Sequence, residues 1–204
     1  MNSYFKRLFP SIFWMLLTLS LLAALVTCKK SQPSDPLLDA ETIPVAETPL
    51  AKAVVMGDMK QIRALLDSGV NIGAKDPLGR TPLHMAAFYG RVKATELLLD
   101  KGADINAKDG VGMTPLHIAV ISGGRQEVEL LLSHKADINA ASSAGKTALH
   151  LAAATGQPRL SKFLISKGAN LKSRDSNGKT PLFYAKQNSH PQTAALLQKS
   201  GAAE

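Results

Sequence analysis

A group of four residues that returns every 33 positions constrains the fold of this chain more than any other feature. Thr81-Pro82-Leu83-His84 recurs as Thr114-Pro115-Leu116-His117, as Thr147-Ala148-Leu149-His150 and, altered, as Thr180-Pro181-Leu182-Phe183. One period earlier stands Thr48-Pro49-Leu50-Ala51, so the register runs from residue 48 to the C-terminus. A fixed period of this length indicates stacked units, each of which buries its apolar face against its neighbours.

The recurring positions predict two helices in each unit. Threonine caps a helix by accepting a hydrogen bond from a free backbone N–H, and proline suits the first helical position. Fixed leucine and alanine positions let neighbouring helices approach, and Gly57, Gly90, Gly123 and Gly156 are expected to end the first helix of their units. Gly69, Gly102, Gly168 and Gly201 are expected to end the second. Lys135 replaces the glycine in the third unit, which predicts a local weak point.

The period, the T-P-L-H-x-A start and the segment Gly102-Ala-Asp-Ile-Asn-Ala-Lys-Asp109 resemble the ankyrin-repeat family. The resemblance implies an all-α repeat solenoid of five stacked repeats, each a helix-turn-helix plus a hairpin finger. It also implies that the histidine bonds the threonine hydroxyl and links neighbouring repeats, and that a partner binds the concave side. We place the repeat domain at 48–204, with repeats 48–80, 81–113, 114–146, 147–179 and 180–204, and polar outer faces on the first and last.

Residues 1–27 are typical of a signal peptide. Lys6 and Arg7 precede an uncharged run from Leu8 to Cys28. The run ends in Leu25-Val-Thr27-Cys28, which resembles a bacterial lipoprotein signal with lipidation at Cys28; Thr27 departs from the usual glycine, alanine or serine. An uncleaved membrane anchor and an ordinary signal peptide are the alternatives. Residues 28–47 contain Pro33, Pro36 and Pro44 among polar residues, which favours a flexible linker.

These features predict an exported protein that is lipid-anchored to a bacterial membrane, with its repeats facing the periplasm or the cell exterior. Cys28 is the only cysteine, so the repeats contain no disulfide and no thiol nucleophile. The net charge of +8 comes from lysine and arginine scattered through the helices, whereas nucleic-acid binding usually needs a basic cluster with stacking aromatics. We expect no nucleic-acid partner.

No motif predicts catalysis, a metal site or a cofactor. His84, His117 and His150 occupy one position in successive repeats, about 8–10 Å apart if the helices pack normally, which is too far to share one ion. The segment from Asp104 to Gly110 is not a calcium loop, because Lys108 stands where an oxygen ligand is required. We therefore expect no enzyme activity, no cofactor and no small-molecule substrate. From the sequence we can name no partner for His134 or His190.

A binding surface is best sought where residues vary while the repeat pattern stays fixed. The candidates for partner binding are Leu78, Phe88, Tyr89, Val111, Met113, Ile121, Arg80, Lys146 and Lys179. Exposed aromatic and aliphatic side chains are usual anchors of interfaces. We expect Tyr89 to be exposed because its hydroxyl favours water, whereas Phe88 could instead pack between helices. The basic residues favour an acidic partner, with solvated surface charge as the alternative.

These observations predict a non-catalytic protein–protein interaction module, tethered to a membrane, whose partner is another protein such as a cell-envelope enzyme. The first alternative is a cytosol-facing ankyrin adaptor on an uncleaved anchor. The second, from another class, is a hydrolase that uses a repeat histidine.

Overall fold

The computed structural model describes residues 48–202, and within this range the chain forms ten α-helices and no β-strand. The predicted signal peptide, the predicted lipidation site at Cys28 and the predicted linker lie outside the described residues. The helices are α1 Pro49–Met56, α2 Met59–Asp67, α3 Pro82–Tyr89, α4 Val92–Asp100, α5 Pro115–Ser122, α6 Arg125–Ser133, α7 Ala148–Ala154, α8 Pro158–Ser166, α9 Pro181–Gln187 and α10 Pro191–Lys199. One pair falls within each predicted repeat, and the all-α repeat solenoid is confirmed. No helix of the described range is long and apolar enough to span a bilayer.

Threonine starts the first helix of every pair, as the register predicts. The hydroxyl of Thr48 accepts from the N–H of Ala51 at 3.2 Å, and that of Thr180 accepts from Phe183 at 3.3 Å. In α3, α5 and α7 the threonine and the histidine three residues later cap each other's backbone. A cap of this kind contributes about 1 kcal/mol to a helix.

The helices pack in two rows, each helix against the equivalent helix of the next pair. The first helices α1, α3, α5, α7 and α9 form one row, and the second helices form the other. The repeat leucines fill the space between the rows: Leu50, Leu83, Leu116, Leu149 and Leu182 from the first helices, and Leu98, Leu131, Leu164 and Leu197 from the second, are all at most 1% exposed. Burying one such side chain stabilises the fold by about 2 kcal/mol. The second helices α6 and α8 approach each other less closely than the other neighbours do.

Tight turns, rather than paired strands, form the fingers that join one pair to the next. The N–H of Asp76 bonds the carbonyl of Arg80 at 3.0 Å, but no strand is present in the described range, so the predicted hairpin finger is reduced to its turn. Successive fingers bond each other, as in Ser143 N–H to Val111 carbonyl at 3.0 Å. A Cβ at Gly112 would lie 2.6 Å from the Ser143 nitrogen, so only glycine permits this approach.

Lys135 adopts the left-handed conformation with φ 66°, as its position in the repeat predicts. The equivalent glycines have φ between 81° and 94°. A side chain in this region of backbone space costs about 1 kcal/mol. The predicted weak point therefore lies at the end of α6, beside the wider gap between α6 and α8.

Candidate partner-binding face

The exposed side chains of the first helices and of the fingers form one surface, which we call the first-helix face. The family resemblance implies that a partner binds on this side. Each interior first helix is bonded to the following finger through its histidine. The Nδ1 atom of His84 accepts from the N–H of Thr81 at 3.1 Å, and Nε2 donates to the carbonyl of Met113 at 3.0 Å. His117 and His150 donate in the same way to Lys146 and Lys179. The predicted structural role of the three histidines is confirmed.

These bonds give the three histidines a structural role. Both ring nitrogens are hydrogen-bonded, and burial lowers the pKa of His84, His117 and His150 below the ordinary value, which favours the neutral ring. No group of His, Cys, Asp or Glu side chains within residues 48–202 is arranged to hold a metal ion. The three histidines thus fix the interior first helices in place.

The opposite ends of α1, α5 and α7 are also held from the next repeat. The guanidinium of Arg91 donates to the carbonyl of Val55 at 2.8 Å, and the Gln157 amide donates to Val120 at 2.9 Å. His190 continues the series by donating from Nε2 to Ala154 at 3.0 Å. No partner for His190 could be named from the sequence because this position differs in every repeat. The first helices α5 and α7, bonded at both ends, are a rigid support for whatever their exposed side chains contact.

Within residues 48–202 four large apolar side chains are exposed, and three of them belong to predicted binding residues. Leu78 is 59% exposed, Phe88 51%, Val111 46% and Met56 72%. The expectation that Tyr89 is more exposed than Phe88 is wrong. Phe88 points outward, whereas Tyr89 is half-buried against the core and meets the Phe88 ring edge-on, with centroids 5.0 Å apart. Met56 is a further exposed residue that belongs to the same helix position as Tyr89.

The remaining candidates are half-buried. Met113 lies in a finger, and Ile121 packs against the core at the end of α5. Arg80 forms an ion pair with Asp76 at 2.7 Å, so its charge is neutralised within its own finger. Lys146 and Lys179 instead extend over aromatic rings of α9: the Lys146 ammonium lies 4.5 Å from the Tyr184 centroid, and that of Lys179 lies 4.2 Å from Phe183.

Tyr184 and Asp175 connect α9 to the preceding finger. The Tyr184 hydroxyl donates to Asp175 Oδ2 at 2.6 Å, and burial together with this bond raises the pKa of Tyr184 to about 12. Burial alone would raise the pKa of Asp175. The hydrogen bonds that Asp175 accepts from Tyr184 and from two backbone N–H groups outweigh burial and lower this pKa. Sequence reasoning missed Tyr184, although it stands where Met85, Ile118 and Leu151 stand in other repeats. A hydroxyl in that apolar position is the signal that could have identified it.

Paired helices in two rows, joined by bonded fingers, define a helical repeat solenoid within residues 48–202. A family model described as "Ankyrin repeats (3 copies)" matches residues 19–109, 50–142 and 116–203. The chain belongs to the ankyrin-repeat family. No curated protein matches it. Ankyrin repeats are generally protein–protein interaction modules, and such domains are typically non-catalytic.

Proposed function

We propose that the chain is a non-catalytic, membrane-tethered module whose partner protein docks on the first-helix face. The observation that carries the proposal is the exposure of Leu78, Phe88 and Val111 on a face whose interior first helices are bonded to the following fingers. Exposed apolar side chains on a rigid support are the usual anchors of an interface. Because the support is ordered before binding, little conformational entropy is lost when a partner docks.

The tether of this proposal is a lipid on Cys28. Cleavage before Cys28 would leave residues 28–47 as a linker of about 3.1 Å per residue when extended, which keeps the repeats near the membrane. The expected location is the periplasm or the cell exterior of a bacterium. Intact-mass analysis of protein purified from host membranes tests this part. Loss of residues 1–27 with lipid on Cys28 supports it, and an unprocessed mass supports the cytosol-facing adaptor on an uncleaved anchor instead.

An envelope enzyme is the kind of partner that a tethered module suits best. Tethering raises the effective concentration of membrane-proximal partners without any new contact. Holding or inhibiting such an enzyme then needs only modest affinity from the first-helix face. Deletion of the chain should change the activity or abundance of one envelope enzyme in the host. An unchanged envelope proteome and unchanged activities would overturn this version of the function.

The docking face itself is tested by co-purification after mild fixation of host membranes. Full-length chain carrying Leu78→Ser and Phe88→Ala is compared with wild type and with a control carrying Lys93→Ala and Lys162→Ala. Both control lysines are exposed on second helices. The proposal predicts a partner whose recovery falls at least tenfold with the apolar pair and is unchanged with the control. Equal recovery from all three proteins contradicts docking on this face.

A further inference from the structure

The first-helix face changes in chemistry from the first repeat to the last. Three of its positions share the same trend, from large apolar residues to small or polar ones. These positions hold Val55, Phe88, Ile121, Ala154 and Gln187; Met56, Tyr89, Ser122, Thr155 and Asn188; and, at the finger tips, Leu78, Val111, Ala144 and Asn177. All four exposed large apolar side chains of the described range belong to the first two repeats. We call this part the apolar end.

The opposite end of the same face is cationic. Lys146 and Lys179 hold their ammonium groups over Tyr184 and Phe183, and neither forms an ion pair within residues 48–202. A groove beside Phe183 is also lined by Arg174 and by groups of Thr180, Lys186 and Gln187. Stacking on an aromatic ring orients a lysine but does not neutralise it. We call this part the cationic end.

The carboxylates of this face are bonded within their own fingers or to the neighbouring helix. The five first helices contain no aspartate or glutamate. The fingers contain Asp76, Asp109 and Asp175, and each directs Oδ1 to two backbone N–H groups of its own turn. The second oxygens of Asp76 and Asp175 bond Arg80 and Tyr184. The acids therefore fix the turns, while the lysines extend outward.

We propose that the partner presents a single segment with apolar anchors at one end and a cluster of carboxylates at the other, which binds along the face in one direction. The inference rests on the proposed function and specifies its partner. Phe88 and Phe183 lie three repeats apart, about 24–30 Å for helices packed at 8–10 Å. An extended chain covers that distance in about eight or nine residues.

The reversed orientation is disfavoured at both ends. It would place carboxylates over Phe88 and Leu78, which offer no hydrogen bond to replace the lost water, and apolar side chains over the hydrated ammonium groups of Lys146 and Lys179. Opposite charges that face each other across an interface determine the orientation and the rate of binding more than the affinity. One direction is therefore expected even if the affinity is modest.

A displayed library of random 16-residue peptides tests the inference with a defined probe. The full-length protein in detergent micelles is used to select binders. The expected pool contains an apolar cluster and at least two acidic residues, separated by about six to nine positions and always in the same order. Selected peptides should bind at least tenfold more weakly to Lys146→Gln with Lys179→Gln. The matched control, Lys93→Gln with Lys162→Gln, should bind them as wild type does.

The outcomes separate this inference from the proposed function. A pool that loses binding with Leu78→Ser and Phe88→Ala but shows no acidic cluster overturns the inference and leaves the proposed function intact. A pool with both clusters in either order overturns the single direction. No enrichment of any peptide, or binding that none of the face variants weakens, contradicts both proposals. Weaker binding at higher salt supports the cationic end, because exposed charges are screened within about 10 Å at 0.1 M salt.

Discussion

The imidazole of His117 donates from Nε2 to the carbonyl of Lys146, 29 residues further along the chain, at 3.0 Å. Its Nδ1 accepts from the N–H of Thr114 at 3.1 Å, so one ring caps its own helix and bonds the next finger. The carbonyl belongs to the residue whose ammonium lies over Tyr184. The histidine network therefore positions the residues of the cationic end without touching a ligand.

Replacement of His117 by alanine should lower the free energy of unfolding by about 3 kcal/mol. The change removes two or three hydrogen bonds of about 1 kcal/mol each and leaves a buried carbonyl without a donor. Urea unfolding followed by circular dichroism measures the loss. His134→Ala is the control, since His134 is exposed and its change should be within about 0.5 kcal/mol. A His117→Ala protein as stable as wild type would contradict the structural role.

Acidification should destabilise the repeats below about pH 6.5. Burial lowers the pKa of His84, His117 and His150 in the folded chain, so the unfolded chain binds more protons below the ordinary histidine value near 6.5. The stability is complete above that pH and falls as the pH drops, by at most about 1.4 kcal/mol per pH unit for each histidine. Urea titrations between pH 7.5 and 5 measure the slope. A slope of zero, or stability that rises on acidification, would refute neutral buried rings.

The Glu127 side chain of α6 lies buried against α4, where burial destabilises the ionised form of its carboxyl group. Thr95 donates to one carboxylate oxygen, and Oε2 has no hydrogen-bond partner. Burial raises the pKa of Glu127, so ionisation at neutral pH is penalised in the folded state. In the next interface the same two positions hold Val128 and Leu160. Thr95→Val with Glu127→Leu should therefore raise the unfolding free energy at pH 7.5 by about 1–4 kcal/mol.

The pH dependence of this gain identifies its cause. The pKa of Glu127 is higher in the folded chain than in the unfolded chain. The penalty for ionising Glu127 is therefore present above the folded pKa and is lost as the pH falls from the folded pKa towards the unfolded one. The advantage of the double variant over wild type should shrink between pH 7.5 and 5, as measured by urea unfolding of both proteins. A constant advantage would indicate better packing alone. A loss of stability at pH 7.5 would contradict a costly buried charge.

Replacement of Lys135 by glycine should raise the unfolding free energy by about 0.5–1 kcal/mol. The left-handed backbone at this position disfavours a side chain, and glycine removes that cost at the price of a more disordered unfolded state. Gly102→Ala is the mirror experiment. A Cβ at Gly102 meets no atom within 4 Å, so its expected loss of about 1 kcal/mol comes from the backbone alone. Opposite signs for the two variants in thermal unfolding would support the account, and equal signs would contradict it.

The sequence predicts the repeated parts of this structure well, because each repeated residue has the same neighbours in every unit. The threonine caps and the conformation of Lys135 follow from the register, and the bonds of His84 follow from the family resemblance. The exposure of residues that vary between repeats is harder to predict. Phe88 and Tyr89 are adjacent, and a rotation of α3 by one residue decides which of them faces water.

Contacts between unlike residues of neighbouring repeats could not be predicted from periodicity. The pairing of Thr95 with Glu127 and the bond from Tyr184 to Asp175 each occur once within residues 48–202. The bond from His190 to Ala154 recurs, but with a different donor side chain in other repeats. They depend on the distance between particular helices rather than on the pattern of one helix. Arg80 illustrates the same limit: its position predicts a free cation like Lys146, but the longer side chain reaches Asp76 of its own finger.

Photo-crosslinking in host cells tests the central claim most directly. A photoreactive amino acid is placed at Leu78 of the full-length chain and, as the control, at Lys162 on α8. Both side chains are exposed, but only Leu78 belongs to the first-helix face. The account predicts a defined protein adduct from position 78 that is absent from position 162. No adduct from position 78, or the same adducts from both positions, would contradict a partner-binding role for this face.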